Sequence, residues 1–236
     1  LRQLGWSGPI VIAWAASLLL LPLDGASLPP AWLVVAVLTR AFLQTGLFIV
    51  AHDAMHATLL PGSPRWNDRL GAMALACYAC LPWEDCRRNH HLHHRAPTSA
   101  LDPDFHADGE RGAVAWYLRF MAHYLTPVTL ARLLGCWLVA GLLLGRITPH
   151  PLANLLLFWS LPLLLSSLQL FVVGTYLPHR GGSAAGADGH HALSLSLPPW
   201  LSFLACYHFG DHWHHHDAPQ RPWYRLPAAR GHPIGS

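Results

Sequence analysis

The sequence contains no lysine: all fifteen basic residues are arginine, and only 11% of its 236 residues are charged. Soluble globular domains carry about 25%. Together with 53% hydrophobic residues and a mean hydropathy of +0.28, this shortage of charge argues against a soluble domain and for an integral membrane protein. A formal net charge of +3, dispersed along the chain, supplies no basic patch, so nucleic acid is not an expected partner. The missing lysine itself reads as codon bias of a GC-rich genome. Cysteine is sparse and odd in number. Cys77, Cys80, Cys86, Cys136 and Cys206 build no disulfide framework, and Cys77-x-x-Cys80 lies in an apolar run without a second pair. These thiols read as buried and inert. The first apolar run has no basic cluster before it and no small-residue cleavage site after it, so no cleavable signal peptide is expected.

Long apolar runs are plentiful. Pro9 to Leu23, at about 15 residues, is somewhat short of the roughly 20 that span a bilayer, and the turn from Pro22 to Pro30 ends it. A second run extends from Ala31 to about Val50, broken by Arg40, Gln44 and Thr45; these should face other helices or a cavity, because charge facing lipid is costly. Asn67 to Trp83 is apolar but brief and reads as an interfacial or re-entrant helix. Leu133 to Leu144 and Leu152 to about Tyr176 form a second hairpin around Gly145–Pro151. Gly181 to Gly189 reads as a flexible linker, Leu193 to Cys206 as another interfacial piece, and Pro222–Pro227 as an aromatic and basic edge at the lipid headgroups. The expected fold is therefore an all-α integral membrane protein, with about four transmembrane helices in two hairpins plus interfacial helices. Arg65, Arg69, Arg87, Arg88, Arg95, Arg111, Arg180, Arg221, Arg225 and Arg230 fall on one side of this topology, and the opposite turns hold only Arg146. The positive-inside bias makes the arginine-rich side cytoplasmic.

That same side receives three clusters of the 18 histidines. His52 and His56 follow the second apolar run; His90, His93 and His94 follow the interfacial helix; His212, His215 and His216 lie near the C-terminus. Residues three and four apart share one helix face, so each cluster presents its rings in one direction. Eight or nine imidazole nitrogens are too many for one tetrahedral ion and suit two metal ions with open positions. Asp53, Asp102, Asp104, Asp211 and Asp217 are near enough in sequence to accept hydrogen bonds from ring N–H groups and fix their tautomers. Imidazole alone does not choose among zinc, copper, iron and nickel. A membrane metal transporter is the reading of a different class; it requires ligands along an intramembrane pathway, whereas these lie at span ends.

The pattern H-x3-H, H-x2-HH, H-x2-HH on a hairpin scaffold resembles the membrane fatty acid desaturase/hydroxylase superfamily of non-haem di-iron enzymes. Within it, HDAMH at 52–56, RNHHLHHRAPTSALDPDFH at 88–106, SLQLFVVGTYLPHR at 167–180 and FLACYHFGDHWHHHDAPQRPWYRLP at 203–227 resemble the bacterial carotenoid 4-ketolases. The resemblance implies one desaturase-like domain over residues 1–236, two Fe2+ ions, and the ligands His52, His56, His90, His93, His94, His179, His212, His215 and His216. Asp53, Asp102 and Asp104, by proximity, and His106 are candidates to stand behind them; His208 is open as a ligand or behind the ligands, the roles of His91 and His214 stay open, and His123, His150, His190, His191 and His232 read as structural or surface residues. Asp211, Trp213 and His214 depart from the usual third box without altering ligand spacing. The implied reaction is O2-dependent oxidation of C4 of a β-ionone ring by two hydroxylations and loss of water, taking β-carotene through echinenone to canthaxanthin, or zeaxanthin to astaxanthin. Electrons would come from a separate donor such as ferredoxin, since no haem, flavin or iron–sulfur motif is evident. The boxes alone are equally compatible with a carotenoid ring hydroxylase or a fatty-acid desaturase. The implied location is the bacterial cytoplasmic membrane, with the site on its cytoplasmic side.

Overall fold

A computed structural model describes residues 5–106, 112–181 and 191–231. The described residues are helical without any strand. Helix α1 is Ser7–Ser17, prolonged by a 3-10 turn over Leu18–Leu20; α2 is Pro30–Met55, α3 Pro64–Ala79, α4 Trp83–Arg95, α5 Gly112–Tyr124 and α6 Pro127–Leu144. Helix α7 runs over Pro151–His179 and contains two π-helical stretches, Leu156–Ser160 and Leu170–Tyr176. Two short helices, α8 (Pro199–Cys206) and α9 (His212–Asp217), and a 3-10 segment (Trp223–Gly231) follow. Prolines start α2, α3, α6, α7 and α8. At that position the missing N–H has no helical partner to lose and the fixed φ already suits the helix.

Three helices are long and apolar enough to cross a membrane: α2, α6 and α7. The first run, expected as a fourth span, forms the shorter apolar helix Ser7–Leu20, because the 3-10 turn and the Asp24–Pro29 turn stop it early. It packs antiparallel on α2. Arg40 Nη1 donates to Ser17 Oγ (2.7 Å) and Trp14 Nε1 donates to Gln44 Oε1 (2.7 Å), while Ile10 lies beside Gly46. A Cβ on Gly46 would come within 2.6 Å of the Tyr207 hydroxyl, so close approach requires glycine there. Thr45 Oγ1 donates to Gln169 Oε1 (2.6 Å) and lies 2.8 Å from Ser166 Oγ, which ties α2 to α7. Arg40, Gln44 and Thr45 thus all face neighbouring helices. Helices α6 and α7 form the second hairpin, joined by the Trp137 indole donating to Ser160 Oγ (3.2 Å). Their outward faces are apolar, with Leu138, Leu142, Leu152 and Leu156 exposed.

Helix α2 is the axis of the molecule. Its last turns bury Ile49, Val50, Ala51 and Ala54 against Leu75, Tyr78, Cys206, Tyr207 and Phe209. A second core (Leu21, Val37, Leu144, Leu155 and Phe158) closes the far end. Helix α3 lies along α2. A Cβ on Gly71 would sit 2.4 Å from the Trp83 ring and 2.7 Å from Ala54 Cβ, so the two helices touch directly beneath His52 and His56. In the C-terminal aromatic segment, Trp223 and Leu226 are buried, with Trp223 against Phe203 and Tyr207, because the 3-10 segment folds under the core. Most of the linker that begins at Gly181, and His190 and His232, lie outside the described residues.

Candidate metal centre

Four elements converge at one end of the bundle. Helix α2 delivers His52 on its last turn and His56 at its C-cap, α4 delivers His90, His93 and His94, α7 ends on His179, and α9 carries His212, His215 and His216. The local sequence explains each placement. The turn after α2 closes by Thr58 N–H donating to the Asp53 carbonyl (3.0 Å), and Ala57 takes a positive φ of 59°. Helix α8 ends with Tyr207 and His208, both in the left-handed region at φ 49° and 64°. This sharp exit turns the chain into α9, whose N-cap Asp211 is buried and gripped by Arg230 at 2.8 and 2.9 Å. Left-handed backbone in non-glycine residues costs about 1 kcal/mol or more each, and here it sits on either side of the histidines.

The nine imidazoles divide into two groups. His52, His56, His90, His94 and His215 form one; His93, His179, His212 and His216 form the other; in each, one nitrogen per ring lies within 4.8 Å of all the rest. The division crosses the sequence clusters. On α4 the i, i+4 pair His90 and His94 joins the first group while His93 joins the second. On α9 the pair His212 and His216 joins the second while His215 joins the first. In the first group the Nε2 atoms of His56 and His90 are 2.7 Å apart, those of His52 and His215 3.1 Å, and those of His94 and His215 3.0 Å. In the second, His216 Nε2 is 3.1 Å from both His93 Nε2 and His212 Nε2.

A ring nitrogen holds either one proton or one lone pair in its plane, yet His215 and His216 each meet two neighbours through the same atom. Mutual hydrogen bonding therefore does not satisfy the set. Metal–nitrogen bonds of about 2.0–2.1 Å would separate adjacent ligand atoms by about 2.9–3.4 Å, close to the observed spacing. Two further observations fit a metal. His179 Nδ1–H donates to the His191 carbonyl at 2.9 Å, which leaves its Nε2 buried, unpartnered and bearing a lone pair. His93 Nδ1–H donates to both oxygens of Asp102 at 3.0 and 2.9 Å, which likewise leaves Nε2 as the free acceptor. A buried acceptor without a partner is costly, and a shared cation relieves all of these at once.

The electrostatics agree. Burial, then the neighbouring rings, holds His56 down to about 3 and His94 down to about 2, and pushes His90, His212, His215 and His216 well below the ordinary histidine range. These rings are neutral, as ligation requires. His93 differs. Burial opposes its charged form, but the hydrogen bond and charge of Asp102 carry it above the usual value, and Asp102 is held low in return despite its own burial. Burial raises the Asp104 carboxyl and, with Asp104 beside it, lifts the Tyr124 phenol well above its usual range.

The residues expected behind the ligands separate. Asp102 supports His93. Asp53 accepts from the Trp223 N–H (3.3 Å) and stands 3.8 Å from His52 Nδ1, too far for a hydrogen bond. Asp104 accepts from the Tyr124 hydroxyl at 2.7 Å, and Asp211 serves Arg230. His208 is turned away by its backbone; its Nδ1 meets Ser202 Oγ at 3.2 Å and its ring stacks on Trp223. His106 is buried outside both groups. His91 points to the Met55 carbonyl (3.0 Å) and lies outside both groups, as does His214, whose ring packs on Trp213.

A cavity of about 450 Å³ opens on the histidines. His52 and His90 from the first group and His93 and His212 from the second stand in its wall, together with Asp104 and Tyr124. From there it follows α7 past Thr175, Leu170, Ser167 and Leu163 to Trp159 and Trp137. The α7 residues 159–175 that line it span about 24 Å at the rise of an α-helix. The cavity is elongated and mainly apolar, which suits a long hydrocarbon with one end at the metal groups. The contributions of α5 and α6 to this wall were not legible in the histidine pattern; only the apolar, aromatic character of 113–137 hinted at them.

The fatty acid desaturase family model matches residues 29–232. The chain is 40% identical over 234 residues to the beta-carotene ketolase of one Paracoccus sp. strain, covering 95% of this chain and 90% of that protein. A beta-carotene ketolase of a second Paracoccus sp. strain is 39% identical over 241 residues, covering 97% and 92%. The zeaxanthin 4-ketolase of Chlamydomonas reinhardtii is 38% identical over 204 residues, which cover 84% of this chain and 45% of that protein.

Proposed function

Because the chain belongs to the fatty acid desaturase family and, within it, to the beta-carotene ketolases, we propose that it is a carotenoid 4-ketolase, an O2-dependent oxidoreductase that converts C4 of β-ionone rings to a ketone. The observation that carries this reading is the elongated apolar cavity whose wall includes rings of both imidazole groups. A hydrocarbon lying along α7 presents one ring end to both groups at once.

His52, His56, His90, His94 and His215 are assigned to one non-haem ferrous ion, and His93, His179, His212 and His216 to a second. When bound, the iron pair supplies O2 activation and the oxidation of the ring carbon. The chain's own residues do the positioning. Asp102 and the His191 carbonyl fix the His93 and His179 rings with Nε2 inward. Phe48, Leu163, Leu170 and Phe209 line the channel and keep water from the reacting end. Two hydroxylations at C4 give a gem-diol that loses water to leave the carbonyl, and repetition at both ends converts β-carotene through echinenone to canthaxanthin, or zeaxanthin to astaxanthin. Each hydroxylation consumes one O2 and two electrons, which a separate carrier such as ferredoxin delivers. Helices α2, α6 and α7 span the bacterial cytoplasmic membrane, with the histidine end on the cytoplasmic side where arginine is concentrated.

Expression in β-carotene-producing cells with chromatography and mass analysis of the pigments tests the assignment. Ketone at C4 is expected; hydroxylated carotenoid or unsaturated acyl chains without any ketone would sink it. Metal analysis of the purified protein is expected to give two irons per chain.

A further inference from the structure

Most polar side chains in the cavity wall are occupied with protein neighbours. Ser167 Oγ is 2.7 Å from the Tyr117 hydroxyl, Ser160 Oγ accepts from the Trp137 indole, and the Tyr78 hydroxyl accepts from Ser166 at 3.3 Å. At the histidine end the wall contains a different arrangement. Asp104 and Tyr124 stand there together, with the phenol donating to Asp104 Oδ1 at 2.7 Å. While its O–H donates to Asp104, the phenol oxygen keeps its acceptor capacity. Among the described residues, Asp104 Oδ2 has no hydrogen-bond partner. The backbone beneath is pinned on both sides: Asp104 N–H donates to Asp102 Oδ1 (2.9 Å) and the Trp116 indole donates to the Asp104 carbonyl (2.8 Å). A carboxylate oxygen of Asp104 lies within 4.8 Å of a ring nitrogen of His93.

An unsubstituted hydrocarbon ring offers this pair nothing to bond, and a polar group buried against CH2 groups is penalised. On a β-ionone ring, C3 is bonded to C4. With C4 turned toward the imidazole tips, a hydroxyl on C3 falls within a few ångströms of them, where the Asp104–Tyr124 pair lines the wall. We propose that Asp104 and Tyr124 form a hydroxyl-recognition subsite that selects rings already hydroxylated at C3 over unsubstituted rings. The substrate O–H donates into the pair, to Asp104 Oδ2 or to the phenol oxygen. This rests on the ketolase reading and adds to it the substrate class that the site prefers. It also places the protein after a ring 3-hydroxylation in the order of reactions.

The probes are zeaxanthin, hydroxylated at C3 of both rings, and β-carotene, which has no hydroxyl. The iron-loaded protein in membranes is assayed with each, alongside Tyr124→Phe and Asp104→Asn. The unsubstituted protein is expected to show the higher kcat/KM for zeaxanthin, and both variants to shift the zeaxanthin to β-carotene ratio by about 10-fold toward β-carotene, the discrimination lost with a hydrogen bond to a charged or paired group. A residue that only braced α5 would lower both values together and leave the ratio alone. Trp137 and Trp159 line the same cavity, so quenching of tryptophan fluorescence by each carotenoid gives binding constants that do not depend on turnover. The same shift in their ratio is expected. Ratios that stay within about 2-fold of the unsubstituted protein in both variants, by either measurement, overturn the subsite. Absence of ketone from both substrates, with binding discrimination intact, would instead refute the ketolase reading.

Discussion

Asp102→Asn tests whether the two imidazole groups act as separate metal sites. The Asp102 carboxylate takes four contacts: His93 Nδ1 on both oxygens, the Asp104 N–H on Oδ1 at 2.9 Å and the Thr98 N–H on Oδ2 at 3.0 Å. Each oxygen has its own backbone donor, so an asparagine in either orientation sets its NH2 against an N–H. One buried donor then loses its acceptor, at about 1–3 kcal/mol. The negative charge behind His93 also disappears, and loss of such a partner weakens metal binding by about 10–100-fold, or about 1.4–2.8 kcal/mol. Of the two imidazole groups, His93 belongs to the second. The substitution should therefore loosen one ion and spare the other. Purified protein dialysed against graded chelator, with iron measured per chain, should release its metal in two steps, the weaker moved to roughly 10–100-fold lower chelator strength. A far-UV melting curve controls for unfolding. A release profile unchanged from the unsubstituted protein would refute the role of Asp102, and joint loss of both ions would refute the division into two sites.

Three other substitutions probe the supports around the centre. Arg230→Ala leaves the buried Asp211 carboxylate without its guanidinium; the partly exposed arginine reduces the effect, so about 1–3 kcal/mol of stability should be lost in denaturant titration, with weaker iron retention because Asp211 starts the helix of His212, His215 and His216. Gly71→Ala forces a methyl against the Trp83 ring and Ala54, and should cost about 1–3 kcal/mol, read as a lower thermal midpoint in detergent. His91→Ala removes a ring that bonds only the Met55 carbonyl in the described structure, and should leave iron per chain unchanged, whereas His179→Ala, which removes a ring of the second group, should lower it.

The parts of this architecture written in local spacing were readable from sequence. Histidines three and four apart share a helix face whatever the tertiary structure, and α2 and α7 announce themselves by apolar length. The pairing of rings was not readable. Whether His93 sides with His90 or with His212 depends on how α4 and α9 rotate toward each other, which no single segment encodes. Proximity in sequence likewise failed to sort the carboxylates. Asp53, Asp102, Asp104 and Asp211 all lie near ligands along the chain, yet among them only Asp102 accepts a hydrogen bond from a ligand ring, because Arg230, Tyr124 and the Trp223 backbone claim the others. Composition did not reveal the burial of Trp223, since an aromatic and basic segment looks alike at a headgroup and beneath a core. Helix α5 was missed because its role is to complete a cavity wall formed by helices distant in sequence.

The π-helical stretch Leu170–Tyr176 makes the aim of His179 a matter of residue counting. A π turn holds about one residue more than an α turn, and one residue corresponds to about 100° of rotation. The stretch therefore sets the phase of everything after it, while the lower part of α7 stays in register with Thr45 and α2. Relaxing these residues into a regular α-helix without changing their number would swing the final turn by about 100°, carrying the His179 ring away from the group it completes. At the present chain length, a regular helix here and an intact centre are mutually exclusive, so the irregularity takes up one residue that the aim of His179 does not need.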